Sequence, residues 1–246
     1  MRRVVIVQAR MTSTRLPGKV LMELAGKPML ERQIERLRAC QAVDEIAIAT
    51  TDGPADDAIA ALARRLDLPA IRGSEHDVLA RYAQAAAATD ADLVVRITSD
   101  CPLIDPGRVD AVIDALAQRR DRCDYASNTL ERHLPRGLDC EALWRDVLER
   151  VDRIATSAPA REHVTWHIYA ERPELFLLHA VRGGELGAEL RWTVDTDADL
   201  ALIRKLYDEL GLADRIAPAD EIVAYVRARP ELAAINTHIT QKDPAA

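Results

Sequence analysis

Three cations and three hydroxyl side chains fall within ten residues, directly after the first apolar run of the chain. Segment 8–19 reads QARMTSTRLPGK, and its cations are Arg10, Arg15 and Lys19. Guanidinium groups donate paired hydrogen bonds to phosphate oxygens, an ammonium supplies a point charge, and Gly18 lets the backbone approach an anion. Because the loop directly follows a predicted strand, its composition predicts an anion-binding site suited to a nucleoside triphosphate. It lacks the P-loop pattern, and a solvated basic loop is the alternative interpretation.

Two aspartates follow short segments that predict strands. Asp100 comes after the strand predicted over 93–97, and Asp195 comes after a strand predicted over 191–194. Doubly wound sheets bind ligands at the carboxyl ends of their strands, so both acids are expected to converge at one edge. Their oxygens would suit Mg²⁺, which takes few protein ligands and keeps phosphate and water as the others. For Asp100 alone, a helix N-cap or a turn acid is an equally common use.

The elements that must position these groups alternate between strand and helix. Apolar runs predict strands at 4–7, 45–49, 70–72, 93–97 and 125–128. Helical spacing predicts one helix that begins at Pro28 and four further helices over 56–66, 77–88, 106–116 and 198–210. A last helix is predicted over 218–226, before a polar tail. This alternation predicts one α/β domain over residues 1–246, with a mostly parallel central sheet covered on both faces.

The alternation becomes irregular over residues 129–189. Helices are expected over 143–151 and 163–170, and a strand is expected over 176–181. We interpret the region as an insertion that forms the acceptor site or a dimer arm. The candidates for acceptor binding are polar residues of this region together with Asn128, which directly precedes it. The others are Arg136, Asp139, Glu141, Arg161 and His163. Arg136 and Arg161 could clamp a carboxylate or phosphate, and ion pairs at a subunit interface are an equal alternative.

Composition and charge limit the partners. The 246 residues are 48% hydrophobic and 30% charged, with a net charge of -7, which argues against nucleic acid or a membrane as a partner. Residues 1–40 nevertheless hold nine Lys or Arg and three Glu, as a compact anion site would require. The early apolar run is too short for a signal peptide, and the four cysteines form no C-x-x-C pair, so we expect a cytoplasmic protein with reduced thiols. Cys101, beside Asp100, is expected to be a buried thiol rather than a nucleophile.

Six segments together resemble a known enzyme family. They are 8–19 with its continuation GKPML at 26–30, RGSEHDVLARY at 72–82, RITSDCPLIDP at 96–106, SNTL at 127–130, PRGLDCE at 135–141 and REHVT at 161–165. These segments are similar to the cytidylyltransferases that make CMP-activated sugar acids, in the branch of spore coat polysaccharide biosynthesis protein F. The resemblance runs from residue 3 to about residue 210. The chain departs from the pattern at Ser99, where Gly is expected, and at Cys140, where a β-branched apolar residue is usual.

The resemblance implies a nucleotide-diphospho-sugar transferase fold of the GT-A, Rossmann-like type with three layers, CTP as donor, and a homodimer formed through 129–189. It implies Mg²⁺ held by Asp100 and Asp195. The implied catalytic residues are Arg10, Arg15, Lys19 and Asp100. The implied nucleotide-binding residues are Gln8, Ala9, Arg10, Ser13, Lys19, Arg72, Asp77, Arg81 and Ser99. For Arg81, an exposed helix position carries similar weight.

The implied reaction is in-line attack by an oxygen of a small acidic acceptor on the α-phosphorus of CTP, with pyrophosphate leaving toward the basic loop. The acceptor would be a sugar acid or a phosphorylated or phosphonate compound. One alternative is a glycosyltransferase of the same fold, which would use Asp195 and Asp197 as a D-x-D metal motif. Asp197 and Asp199 are weaker metal candidates, because acids in a first helical turn are favoured by the helix dipole alone. A non-catalytic nucleotide-binding protein is the other alternative.

Overall fold

One seven-stranded sheet organises the computed structural model, which describes residues 1–183 and 187–241. Its order is β5-β4-β1-β6-β8-β7-β9, and β2 and β3 form a separate small ribbon. The strands are β1 (Arg3–Gln8), β2 (Glu23–Leu24), β3 (Lys27–Pro28), β4 (Glu45–Thr51), β5 (Ala70–Gly73), β6 (Leu93–Thr98), β7 (Tyr125–Ser127), β8 (Glu141–Trp144) and β9 (Leu178–Ala180).

The helices follow the predicted alternation. They are α1 (Met29–Leu37), α2 (Asp57–Arg65), α3 (Val78–Ala88), α4 (Pro106–Ala117), α5 (Arg145–Ile154), α6 (Ala158–His163), α7 (Asp197–Glu209), α8 (Ala219–Arg227) and α9 (Pro230–Ala234). Strands β5, β4, β1 and β6 run parallel, whereas β8 is antiparallel to both of its neighbours. The α/β prediction with a mostly parallel sheet is therefore confirmed. Residues 184–186 and 242–246 of the predicted domain and insertion lie outside the described residues.

The parallel strands bring four loops to one edge of the sheet. Residues 4–7 of β1 have no exposed surface, because both faces of this central strand are covered. Strands β1, β4, β5 and β6 all end at the same edge, at Gln8, Thr51, Gly73 and Thr98. The segments that follow them carry most of the predicted nucleotide-binding residues.

Side-chain caps fix where several helices begin. Asp77 Oδ1 accepts a hydrogen bond from Ala80 N at the start of α3, over 2.9 Å. Asp105 caps α4 through one carboxylate oxygen and accepts from Ala219 N at the start of α8 through the other. Thr196 and Asp199 form a reciprocal capping box at the start of α7. These caps hold the helices beside the loops at the carboxyl edge.

Region 129–189 is more regular than expected, because it supplies β8 and β9 to the main sheet. The helix predicted over 143–151 is wrong in its first part, where Glu141–Trp144 form β8. All four residues of β8 are buried, so the strand lacks the alternation that marks a half-exposed strand. The prediction of a helix followed the helical spacing of Leu143, Val147 and Val151. Only Val147 and Val151 belong to α5.

Three further expectations need correction. The helix predicted over 163–170 is interrupted, since α6 ends at His163, Val164 adopts a φ of 54°, and a π-helical turn covers His167–Glu171. The strand predicted over 191–194 is wrong, because only Arg191 forms a bridge, with Arg136. The helix predicted over 218–226 matches α8, but α9 follows it.

The buried residues form two apolar clusters, one around the main sheet and one between α7, α8 and segment 190–194. Trp192 lies in the second cluster, with 1% of its surface exposed. All four cysteines are buried and free, as predicted for apolar thiols. No helix among the described residues is long and apolar enough to cross a membrane.

Candidate active site

The basic loop after β1 is anchored by a carboxylate that the sequence analysis missed. Asp56 Oδ1 accepts from Met11 N over 2.7 Å, and its Oδ2 accepts from the Thr51 hydroxyl over 2.5 Å. Gly18 N donates to Met11 O over 2.9 Å, and Gly18 has a φ of 72°, a left-handed conformation that favours glycine. The loop is thus tied to the end of β4. The sequence did hold a signal for Asp56, because this acidic residue comes shortly after a predicted strand, as Asp100 does.

Lys19 is the centre of the site. Its ammonium lies 2.9 Å from Asp195 Oδ1, 3.2 Å from Asp100 Oδ2 and 2.6 Å from Val194 O. The residue is 7% exposed. Burial acts to lower the pKa of Lys19, but the charges of Asp100 and Asp195 outweigh it and raise the pKa above its ordinary value. Lys19 therefore stays charged and joins the two predicted metal-binding acids.

Asp100 is oriented by its own strand. The Thr98 hydroxyl donates to Asp100 Oδ1 over 2.6 Å. Burial opposes ionisation of Asp100, yet the charge of Lys19 and the Thr98 hydrogen bond hold its pKa below the ordinary value. The neighbouring Cys101 is 2% exposed, and burial together with the charge of Asp100 raises its pKa. A thiol in that state is a poor nucleophile, in agreement with the prediction.

Asp195 is held by three cations. Its Oδ2 lies 2.8 Å from Arg15 Nη2 and 2.7 Å from Arg191 Nη2, while Lys19 contacts its other oxygen. Arg191 also donates from Nε to the fully buried Asp199 over 2.9 Å. Val194 N donates to Asp100 O over 2.8 Å, which fastens the late segment beside the end of β6. The two aspartates therefore converge as predicted, although no strand precedes Asp195.

The weaker acidic candidates have other positions. Asp199 accepts from Arg191, Asn236 and the backbone of Asp195, so it supports the segment that carries Asp195. Asp197 is exposed in the first turn of α7. Sequence reasoning missed Arg191, whose role depends on folding next to Asp195 and Asp199.

The two carboxylates fit Mg²⁺. A single ammonium reaches both of them, so their oxygens face a common point suited to a small cation. No group of three or more His, Cys, Asp or Glu side chains that could hold a metal occurs within 1–183 and 187–241. Two carboxylates are the donor set of a Mg²⁺ that takes its remaining ligands from phosphate and water.

Several predicted nucleotide-binding residues meet at the ends of β1 and β6. Ala9 is buried, and Ser99 N donates to Gln8 O over 3.1 Å. Gln8 Oε1 is buried with no hydrogen-bond partner in the described part of the chain. Arg81 is 2% exposed and donates to Ser74 O over 2.6 Å, so the exposed-helix alternative for Arg81 is wrong.

The remaining predicted nucleotide-binding side chains are spread along the same edge. Arg10 Nη1 lies 3.6 Å from Glu75, and Ser13 is half-buried. Arg72 donates to Thr51 O and Gly53 O, which ties it to the turn after β4.

Most of the acceptor candidates bond to the protein itself. Arg161 donates to Asp77 and Asp152, which pairs a predicted acceptor residue with a predicted nucleotide residue. Glu141 accepts from Arg96 over 2.7 Å and from Thr165 over 2.9 Å.

The other acceptor candidates differ from one another. Asn128 bonds through both amide atoms to the backbone of Leu138 and Cys140. Asp139 receives two bonds from Arg132, over 2.9 and 3.0 Å. The ring centroids of His163 and Trp166 lie 6.3 Å apart. Arg136 is half-buried, and none of the described residues accepts a hydrogen bond from its guanidinium.

A parallel sheet whose carboxyl edge carries a basic loop and two facing carboxylates is the arrangement of a nucleotide-binding α/β protein. Comparison with known proteins narrows this class, because the family model described as Cytidylyltransferase matches residues 4–213. The chain belongs to the cytidylyltransferase family and is therefore a nucleotidyltransferase.

Individual relatives agree along nearly the whole chain. Spore coat polysaccharide biosynthesis protein SpsF of Bacillus subtilis is 31% identical over 235 residues, which cover 93% of this chain and 95% of the relative. An uncharacterized protein of Methanocaldococcus jannaschii is 35% identical over 239 residues, covering 96% of this chain and 95% of that protein. The solved structure of a cytidylyltransferase from Leptospira borgpetersenii has a TM-score of 0.89 at 26% identity, covering 99% of this chain and 100% of that one. The family resemblance and the predicted fold are confirmed.

Proposed function

We propose that this cytidylyltransferase transfers CMP from CTP to a small acidic acceptor and releases pyrophosphate, with Mg²⁺ as its metal. The observation that carries the proposal is the buried Lys19 ammonium, which contacts both Asp100 and Asp195 at the end of the basic loop. The loop supplies positive charge for a triphosphate, and the carboxylates supply hard oxygens for a divalent cation.

The reaction needs positioning and charge neutralisation. An acceptor oxygen attacks the α-phosphorus of CTP in line, a new oxygen–phosphorus bond forms, and the bond from that phosphorus to the oxygen of the leaving pyrophosphate breaks. A hydroxyl acceptor releases its proton to water, whereas a phosphate or phosphonate oxygen attacks in its ionised form. Arg10, Arg15 and Lys19 hold the oxygens of the departing pyrophosphate. Asp100 and Asp195 would hold Mg²⁺, which would supply Lewis-acid stabilisation of the charge on the phosphoryl oxygens.

The proposed acceptor is a sugar acid that attacks through a hydroxyl, or a phosphorylated or phosphonate compound that attacks through its phosphate. The name of the Bacillus subtilis relative supports a sugar, because it places that protein in polysaccharide biosynthesis. The fold supports an acceptor site at loop 128–141, since Arg136 bonds through its backbone to Leu190 and Trp192. That contact brings the loop beside the segment that carries Asp195.

The proposed assembly is a homodimer formed through region 129–189. Leu175, Leu177 and Leu178 are 44%, 55% and 36% exposed, an unusual density of surface leucine. They lie at or beside β9, the last strand of the sheet as described. Sedimentation should give twice the mass of one chain, and L177D should shift it toward the monomer. A wild-type monomer at micromolar concentration would contradict this assembly.

Calorimetric binding of CTP, UTP, ATP and GTP, with and without Mg²⁺, tests the donor. Selective, Mg²⁺-dependent binding of CTP is expected, and pyrophosphate release then identifies the acceptor among sugar acids, sugar phosphates and phosphonates. Sugar transfer without pyrophosphate release would indicate a glycosyltransferase instead. Failure to bind any triphosphate would indicate a non-catalytic protein.

A further inference from the structure

Apart from the nucleotide-binding candidates Arg10, Arg72 and Arg81, five cations surround the candidate active site, and four of these five have a carboxylate partner. Lys19 and Arg15 contact Asp195, and Lys19 also contacts Asp100. Arg191 pairs with Asp199 over 2.9 Å, and Arg132 pairs with Asp139 over 2.9 Å. The fifth is Arg136.

The guanidinium of Arg136 lies in an unfavourable environment. Burial lowers its pKa, and the positive charges of Arg132 and Arg191 lower it further, while Asp139 offsets only part of this effect. Arg132 already donates both arms of its fork to Asp139. A half-buried cation beside two other cations costs folding free energy unless an anion binds it, and none of the described carboxylates forms an ion pair with the Arg136 guanidinium.

The backbone that carries Arg136 is rigidly placed. Arg136 N donates to Leu190 O over 3.1 Å, and Arg136 O accepts from Trp192 N over 2.6 Å. Gly137 follows with a φ of 104°, and a Cβ atom there would lie 2.6 Å from the backbone at Trp192 and Thr193. Only glycine allows this approach. The side chain of Arg136 is therefore presented from a fixed loop next to the segment that ends in Asp195.

We propose that Arg136 is the residue that selects the acceptor, by binding an oxyanion of the acceptor, a carboxylate or a phosphonate or phosphate group, with its guanidinium fork. The inference rests on the proposed function, because it requires that the acceptor lie next to Asp195. The inference gives different roles to Arg136 and Arg161, the two arginines predicted to clamp a carboxylate or phosphate. Arg161 donates to Asp77 and Asp152 and to the Asp152 and Ala155 carbonyls, so its hydrogen-bonding capacity is already used.

The first test uses two simple anions, acetate and methylphosphonate, as probes for the two oxyanion types. Each is titrated at millimolar concentration into protein saturated with CTP and Mg²⁺, so that the triphosphate loop is already filled, and the thermal midpoint is followed. The wild type and R64Q should be stabilised by at least one probe, and R136Q should not respond. Arg64 is an exposed position in the last turn of α2, which makes R64Q the matched control.

The outcomes separate this proposal from the proposed function. CTP binding is measured first on the same samples, and its absence contradicts the proposed function and, with it, the role of Arg136 that rests on that function. With CTP bound, an equal response of R136Q and wild type, or no response of the wild type to either probe, would overturn the role of Arg136. A response to acetate alone indicates a carboxylate, and a response to methylphosphonate alone indicates a phosphonate or phosphate.

The second test uses kinetics with the acceptor found by pyrophosphate release. R136Q should raise the KM for that acceptor by about 10- to 100-fold, the size expected for losing a charge-assisted pair, while the Kd for CTP stays within about twofold. R136K should recover part of the loss, because it restores the charge and not the fork. An equal rise in the Kd for CTP would show that Arg136 serves the nucleotide or the fold instead.

Discussion

The two sides of the candidate active site differ in whether carboxylates of the protein pair with their positively charged side chains. On the nucleotide side, Lys19, Arg15 and Arg10 each lie within 3.6 Å of a carboxylate of the protein. On the acceptor side, Arg136 has no such partner among the described residues. The basic loop on the nucleotide side is therefore balanced internally and would have to exchange partners to bind the proposed triphosphate, whereas the proposed acceptor side has an arginine without a carboxylate partner.

Asp100→Asn should have the largest effect on activity. The amide keeps the shape of the carboxylate but removes the charge that would hold Mg²⁺, so the rate of pyrophosphate release should fall by at least about 1000-fold. The thermal midpoint should change little, because Lys19 keeps its contact with Asp195. A variant with a wild-type rate would remove Asp100 from the proposed metal site.

Asp199→Asn should have the largest effect on stability. Asp199 is fully buried and accepts from Arg191, so its loss leaves a buried guanidinium without its main partner. Because Arg191 keeps its contact with Asp195, the expected cost is about 1–3 kcal/mol of unfolding free energy, measurable by urea titration. A midpoint equal to that of the wild type would show that Arg191 is held well enough by Asp195 and Gln241.

Lys19→Met tests the exchange of partners on the nucleotide side. The Kd for CTP should rise by about 10- to 100-fold, because the triphosphate loses a charged donor. Binding of Mn²⁺ without nucleotide, followed by electron paramagnetic resonance, should become tighter, because no ammonium competes for the two carboxylates. Lys205→Met, at an exposed position of α7, is the matched control and should leave both constants unchanged. If free Mn²⁺ bound the wild type and Lys19→Met equally, Lys19 would not compete with metal.

The smallest effect concerns Arg161, the paired counterpart of Arg136. Burial acts to raise the pKa of Asp77, but the hydrogen bond from Arg161 and that from Ala80 N outweigh it and lower the pKa. A carboxyl with a lowered pKa in the fold contributes stability that is present above its unfolded pKa of about 4 and is lost as the pH falls through the folded value.

Arg161→Gln should therefore lower the unfolding free energy by less than about 1 kcal/mol at pH 7, since the pair is partly exposed. The difference from the wild type should persist down to about pH 5 and shrink below pH 4, as urea titrations at each pH would measure. A difference that grew as the solution became more acidic would contradict the assigned sign.

The contrast between Arg136 and Arg161 also marks what the sequence could predict. The basic loop and Asp100 were identifiable because their pattern is local, a strand followed at once by polar residues. Both arginines had the same prediction, because one of the two carboxylate partners of Arg161, Asp77, is 84 residues away and only folding brings it close. Arg191 was missed although Asp195 and Asp199 lie only four and eight residues further along the chain. Asp56 was missed although it follows a predicted strand, because the Met11 backbone that it anchors is 45 residues away. Strand β8 was missed because a strand buried on both faces shows no alternation.

The bond between Lys19 and Asp195 spans 176 residues of chain. A ribosome makes the basic loop early and adds Asp195 only after most of the protein has been synthesised. At about 5–20 residues per second, the ends of β1 and β6 are synthesised roughly 5 to 40 seconds before Asp195. A nascent or truncated chain that stops before residue 195 therefore lacks one of the two carboxylates that contact Lys19, so the contacts of the candidate site are complete only when translation is nearly finished.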